Sequence, residues 1–110
     1  MNYIERLKRM RACNDALIWL RKNDFPTLQA AWEACERADW MLWLIYHTSD
    51  HHDESTMEKY TSVMSEISKY YSFNAISRGF SNQRESLKKQ AQIIRWHYPK
   101  APDLMNGIVI

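Results

Sequence analysis

The chain is poor in residues that interrupt helices. It has two Gly and three Pro among 110 residues. No run of β-branched residues alternates with polar ones over strand length, which leaves helices as the default. Cysteine is scarce as well: Cys13 and Cys35 alone are too few for a disulfide framework and fit a reducing compartment. The longest uninterrupted apolar run, Trp40–Tyr46, is seven residues, against the roughly 20 that a membrane-spanning helix needs. The opening residues Met1-Asn2-Tyr3-Ile4-Glu5-Arg6 reach a charge without the apolar stretch of a secretory signal, so a cytoplasmic protein with no membrane association is expected. Large net charge is missing too. The formal value of +2 is far from the acidity of a DNA mimic and short of a dedicated nucleic-acid binder. There is no Gly-rich phosphate loop, no Ser nucleophile elbow and no spaced pair of carboxylates. Neither an enzyme nor a cofactor is expected.

What the sequence does have is apolar and aromatic mass. The 45% apolar fraction, with five Trp, six Tyr and three Phe, is that of a folded protein, and the length suits one domain over 1–110. Charge falls in blocks of +4 over residues 1–22, −7 over 23–58 and +5 over 59–110. Opposite blocks neutralise one another on neighbouring helices or orient the chain toward a charged partner.

Periodicity predicts about five helices. The first runs from Tyr3 to Lys22, with Met10, Cys13, Leu17 and Leu20 on one face. Ile4, Leu7 and Ile18 lie on another, so this helix buries two sides or sends its first turns elsewhere. Pro26 ends it, and Thr27 caps a short helix Leu28–Glu36 that buries Leu28, Ala31, Trp32 and Cys35. Asp39 introduces a third helix whose body, Trp40 to Tyr46, is apolar on every side and therefore belongs at the centre of the fold. His47–Glu54 reads as a polar connector, and Ser55 with Glu58 forms a capping box for the next helix. That helix carries Tyr60, Val63, Met64, Ile67, Tyr70 and Tyr71 on one stripe and ends before Gly79. Asn82 and Glu85 open the last helix, which buries Leu87, Ala91, Ile94 and Tyr98 and stops at Pro99 and Pro102. The result is an all-α, single-domain bundle around a buried Trp-rich helix. Residues 99–110 form an apolar tail that docks on the body or on a partner, with the Ile93/Trp96 side as a seat.

The stretch from Ala31 to Leu44, Ala-Trp-Glu-Ala-Cys-Glu-Arg-Ala-Asp-Trp-Met-Leu-Trp-Leu, resembles a motif of small, mostly uncharacterised bacteriophage and prophage proteins. In these a Trp precedes a Cys, and an Arg and an Asp then introduce Trp-Met-Leu-Trp-Leu. The resemblance extends to Ala12, Cys13, Ala16 and Leu28, and more weakly to Leu87–Lys89, Ile93–Arg95 and His97–Pro99. Ala38 stands where the pattern has Gly, which bears on the tightness of the turn before the helix. The resemblance implies an accessory protein that inhibits or redirects a host protein, as anti-CRISPR and other anti-defence inhibitors do. It supplies no active site.

Two interaction surfaces follow from the residues. For a protein partner, such as a host defence component or a second copy in a homodimer, the contact residues are Lys89, Ile93, Arg95 and Trp96, since an apolar anchor outside the core stripe marks an interface. For nucleic acid, the alternative, they are Arg6, Arg9, Arg84, Lys88 and Arg95. The last three of these lie within roughly 40° of one another on a helix and would follow a phosphate backbone. His47 and His51 are four apart, with Asp50 and Glu54 nearby, but they sit in the connector and lack a third ligand; no metal is expected. Both thiols are assigned to buried faces, where a cysteine acts as a small apolar group.

Overall fold

Leu7, Leu17 and Leu20 cannot all face one core from a straight helix, because at about 100° per residue Leu7 and Leu20 would point some 140° apart. The chain breaks between them. In the computed structural model, which describes residues 3–71 and 83–104, the expected first helix is two: α1, Tyr3–Arg9, and α2, Asn14–Asn23. The break is a helix-terminating motif in which Ala12 N–H donates to the Leu7 carbonyl and Arg11 N–H to that of Lys8, each at 3.0 Å. Arg11 takes the left-handed conformation, φ 69°, at the position where helices prefer Gly. With the turn made, all three leucines are buried.

The remaining helices among the described residues are α3, Leu28–Ala34; α4, Ala38–Thr48; α5, Glu54–Tyr71; and α6, Gln83–His97. The protein is all-α, with six described helices where about five were expected, and none is long and apolar enough to cross a membrane. Thr27 caps α3 as its side-chain chemistry requires, its Oγ1 accepting from Ala30 N–H at 3.1 Å. The Ser55 capping box does not form. Instead α5 begins two residues earlier, at Glu54, with Asp53 accepting Met57 N–H on its carbonyl and the Thr56 hydroxyl on its carboxylate. Helix α4 starts at Ala38, so Asp39 sits in its first turn and Arg37 takes the cap position. Ala38 is 0% exposed.

Helix α6 packs against both α4 and α5. It buries Ala91 and Ile94, with Val63 and Ile67 of α5 in the same core. Val63, Ile67 and Ile94 each contribute about 1.5–3 kcal/mol when fully buried. Beyond α6 the chain returns along α3. The carbonyl of Tyr98 accepts from Trp32 Nε1 at 2.8 Å, Gln29 exchanges hydrogen bonds with Pro99 and Ala101, and Leu104 is buried. Residues 105–110 lie outside the described residues, as do the expected helix end at Gly79 and the Asn82 cap.

One expectation about the core fails in an informative way. Helix α4 is buried along Ala38, Met41, Leu42, Leu44 and Ile45, but Trp40 and Trp43 are half-buried and Tyr46 is 42% exposed. Its apolar circumference is not closed off by neighbours on every side. An opening remains on its tryptophan flank.

Candidate recognition cleft

That opening is a cleft of about 380 Å³ bounded by α2, α3, the first half of α4 and the turn after α1. The period of α4 places Trp40, Trp43 and Leu44 on the facing stripe. Trp19 and Leu20 come from α2, and Trp32 and Cys35 from the end of α3. Trp19 meets Trp40 at 5.7 Å with the rings tilted 53°, and packs on Phe25 at 4.9 Å. Trp43 stacks on His47 at 4.3 Å. Four of the five tryptophans thus line one feature. Its size lies in the range of ligand-binding clefts, which are mostly apolar with a few placed polar groups.

The polar groups are Arg11, Asp15, Arg37 and Asp39. Arg37 and Asp39 form a two-pronged ion pair, Nε to Oδ1 at 3.0 Å and Nη2 to Oδ2 at 2.7 Å. The guanidinium also lies 4.3 Å from the centroid of the Trp40 ring. The hydrogen bond that Arg37 donates to the Asp39 carboxylate favours the charged form and holds Arg37 above its ordinary value, and the nearby Asp15 carboxylate adds to this. Arg37 is therefore a fixed cation at every accessible pH.

One thiol departs from expectation. Cys35 is buried, but Cys13 is exposed, because the break before α2 turns it out of the face it would occupy on a continuous helix. Burial pushes the Cys35 thiol up, and its Sγ lies 3.5 Å from the Arg37 carbonyl. A raised thiol is a poor nucleophile at neutral pH.

Among the residues assigned to a partner surface, Trp96 is 82% exposed and Lys89 is exposed. Ile93 is half-buried and packs against the core. Arg95 turns inward: its Nη1 donates to the carbonyls of Trp32 at 3.2 Å and Cys35 at 2.5 Å. It thereby joins the Cys35 amide on the Trp32 carbonyl, satisfies the Cys35 carbonyl just past the end of α3 and fixes the segment that supplies Trp32 and Cys35 to the cleft. Of the residues assigned to nucleic acid, Arg9 and Arg84 are exposed and Arg6 is half-buried. Lys88 pairs with Glu36 at 3.3 Å. The expected row of Arg84, Lys88 and Arg95 is therefore divided, one member facing solvent, one paired and one turned to α3.

The histidines are tied separately. His47 Nδ1 lies 2.8 Å from the Trp43 carbonyl and His51 Nε2 lies 2.7 Å from that of Tyr46, so each of those nitrogens carries the donated proton. No group of three or more His, Cys, Asp or Glu that could hold a metal occurs among the described residues. His97 meets Glu66 at 2.7 Å and links α6 to α5.

The sequence pattern assigns Trp32, Trp40 and Trp43 to the core and gives no sign that Arg11, Asp15 and Trp19 border that segment. The spacing of Trp40 and Trp43, three apart on one face of α4, was the available signal. No protein-family model, curated protein or solved structure matches this chain.

Proposed function

We propose that this chain is a non-enzymatic, phage-type accessory protein acting by protein–protein interaction, and that the Trp-lined cleft is where it grips its partner. The observation that carries the reading is the cleft itself: about 380 Å³ of mostly apolar space walled by Trp19, Trp32, Trp40 and Trp43. A single-domain protein that buried these rings completely would gain on the order of 2–3 kcal/mol from each. Leaving three of them half-open forgoes part of that gain. Interfaces draw their binding energy from aromatic anchors and pockets of this kind. The positions that carry the phage resemblance, among them Cys13, Leu28, Trp32, Arg37, Asp39 and Trp40, are largely the positions that line the cleft. A host defence component, such as a CRISPR-Cas effector, is the class of partner that resemblance implies.

The test compares variants in affinity capture from an infected host, with captured proteins identified by mass spectrometry. A partner retained by wild type and by Trp96→Ala but lost by Trp43→Ala supports the cleft. Loss with Trp96→Ala alone moves the site to the exposed face of α6. The alternative, binding of nucleic acid through basic faces, is tested by titrating duplex and single strands at two salt concentrations. Binding that falls steeply with salt would favour it.

A further inference from the structure

We infer that the cleft takes an uncharged apolar side chain together with free main-chain carbonyls beside it, so that the partner presents an extended or helix-terminal polypeptide segment rather than the face of a regular helix. This rests on the reading of the cleft as the recognition site, and on two features of its lining.

The first is a surplus of hydrogen-bond donors. Trp32 Nε1 is spent on the Tyr98 carbonyl. Trp19, Trp40 and Trp43 line the same cleft, and their indole N–H groups have no protein acceptor among the described residues; neither has the guanidinium of Arg11, which also lines it. Helix α2, which begins at the cleft wall, has no side-chain cap on its first-turn amides. The acceptors at the mouth are fewer: both Asp39 oxygens are held by Arg37, which leaves Asp15. A ligand complementary to this lining brings acceptors.

The second feature is charge. Arg11 and Arg37 stand against Asp15 and Asp39, so the mouth is balanced. Arg37 already occupies the face of Trp40, the position an ammonium ligand would seek. A cation meets that guanidinium and an anion meets Asp15. A neutral amide carbonyl meets neither obstacle. Carbonyls inside a helix are spent on its own ladder except in the last turn, which leaves an extended segment or a helix end as their source.

The experiment follows the five indole N–H signals of the full chain in 1H–15N spectra. The probes share an apolar ring and differ in polarity: N-acetyl-phenylalanine methylamide, ethylbenzene, hydrocinnamate and phenethylammonium. The expected result is that the diamide shifts the signals of Trp19, Trp40 and Trp43 and leaves Trp96 in place. It should bind roughly three- to tenfold tighter than each other probe, the worth of one net hydrogen bond. If no probe moves those three signals, the cleft reading and this inference fall together. Ethylbenzene matching the diamide would keep the cleft and overturn the donor argument. Tighter binding of either charged probe would overturn the neutrality argument. The variants Trp19→Phe, Trp40→Phe and Trp43→Phe keep a ring and lose the N–H; at least one must narrow the diamide-to-ethylbenzene ratio, and an unchanged ratio in all three contradicts the proposal.

Discussion

Arg95→Ala should destabilise the fold by about 2 kcal/mol. Hydrogen bonds that involve a charged group each contribute roughly 1.5–3 kcal/mol, and Arg95 Nη1 makes two, to the carbonyls of Trp32 at 3.2 Å and Cys35 at 2.5 Å. One nitrogen serves both and the side chain is only half-buried, so the sum is discounted toward the value of a single strong bond. Truncation also removes the packing of the aliphatic stem. Arg95→Lys restores the charge but not the planar fork, and should recover about half of the loss. Urea unfolding followed by far-ultraviolet circular dichroism measures this. With a slope of about 1–1.5 kcal/mol per molar for a domain this small, the midpoint of Arg95→Ala should fall by more than about 1 M. A midpoint unchanged within error, or a lysine variant equal to wild type, would refute the argument that Arg95 closes the end of α3. A residue that served only to contact phosphate would leave the midpoint alone and lower the salt slope of binding by about one.

Three further outcomes are expected. Arg11→Gly should raise stability by about 1 kcal/mol, because the left-handed conformation at φ 69° costs a side-chain-bearing residue roughly that amount; a thermal midpoint that rises by a few degrees checks it, and a fall would contradict it. Gln90 is 1% exposed and its Oε1 has no hydrogen-bond partner among the described residues, so Gln90→Met should be neutral or stabilising by up to about 1 kcal/mol in the same urea assay, and a clear loss would show the acceptor to be satisfied. Stability should decline as pH rises above the ordinary thiol range of about 8.5, because the Cys35 thiol is held up by burial and the unfolded chain deprotonates first. The contribution is complete below that range and is lost on the way up through the folded value. Tyr3, Tyr60 and Tyr98, also raised by burial, continue the decline at higher pH. Urea midpoints between pH 7 and 10 read this, and Cys35→Ala should flatten the thiol part of the slope.

Helix class and most helix positions were legible because they depend on local chemistry. Thr27 caps α3 by accepting the Ala30 amide, and Val63, Ile67, Ala91 and Ile94 recur at the helical period and are buried. That the first turns go elsewhere was one of two readings of the leucine spacing, but the position of the break at Arg11 was not legible. Nothing in its side chain favours a left-handed residue, and the turn is imposed by burying Leu7 beside Leu17 and Leu20. That same turn exposes Cys13 and borders the space beside Trp19, so one tertiary override turned the thiol out of its expected face and helped leave a cleft where a closed core was expected. Arg95 was misjudged for a related reason. Helical spacing gives the face of a residue, but not the end of another helix that happens to lie beneath it. The exposure of Trp96 was visible in the pattern, since it stands apart from the Leu87, Ala91 and Ile94 stripe of α6.

A partner held in the tryptophan cleft must cover Cys13, an exposed thiol in its wall. Its rate of alkylation by iodoacetamide is measured by mass spectrometry on the free protein and on its complex with the captured partner. Binding should slow modification of Cys13 about tenfold or more, as expected when a partner excludes solvent from the centre of an interface. A rate unchanged by saturating partner would contradict recognition at the cleft.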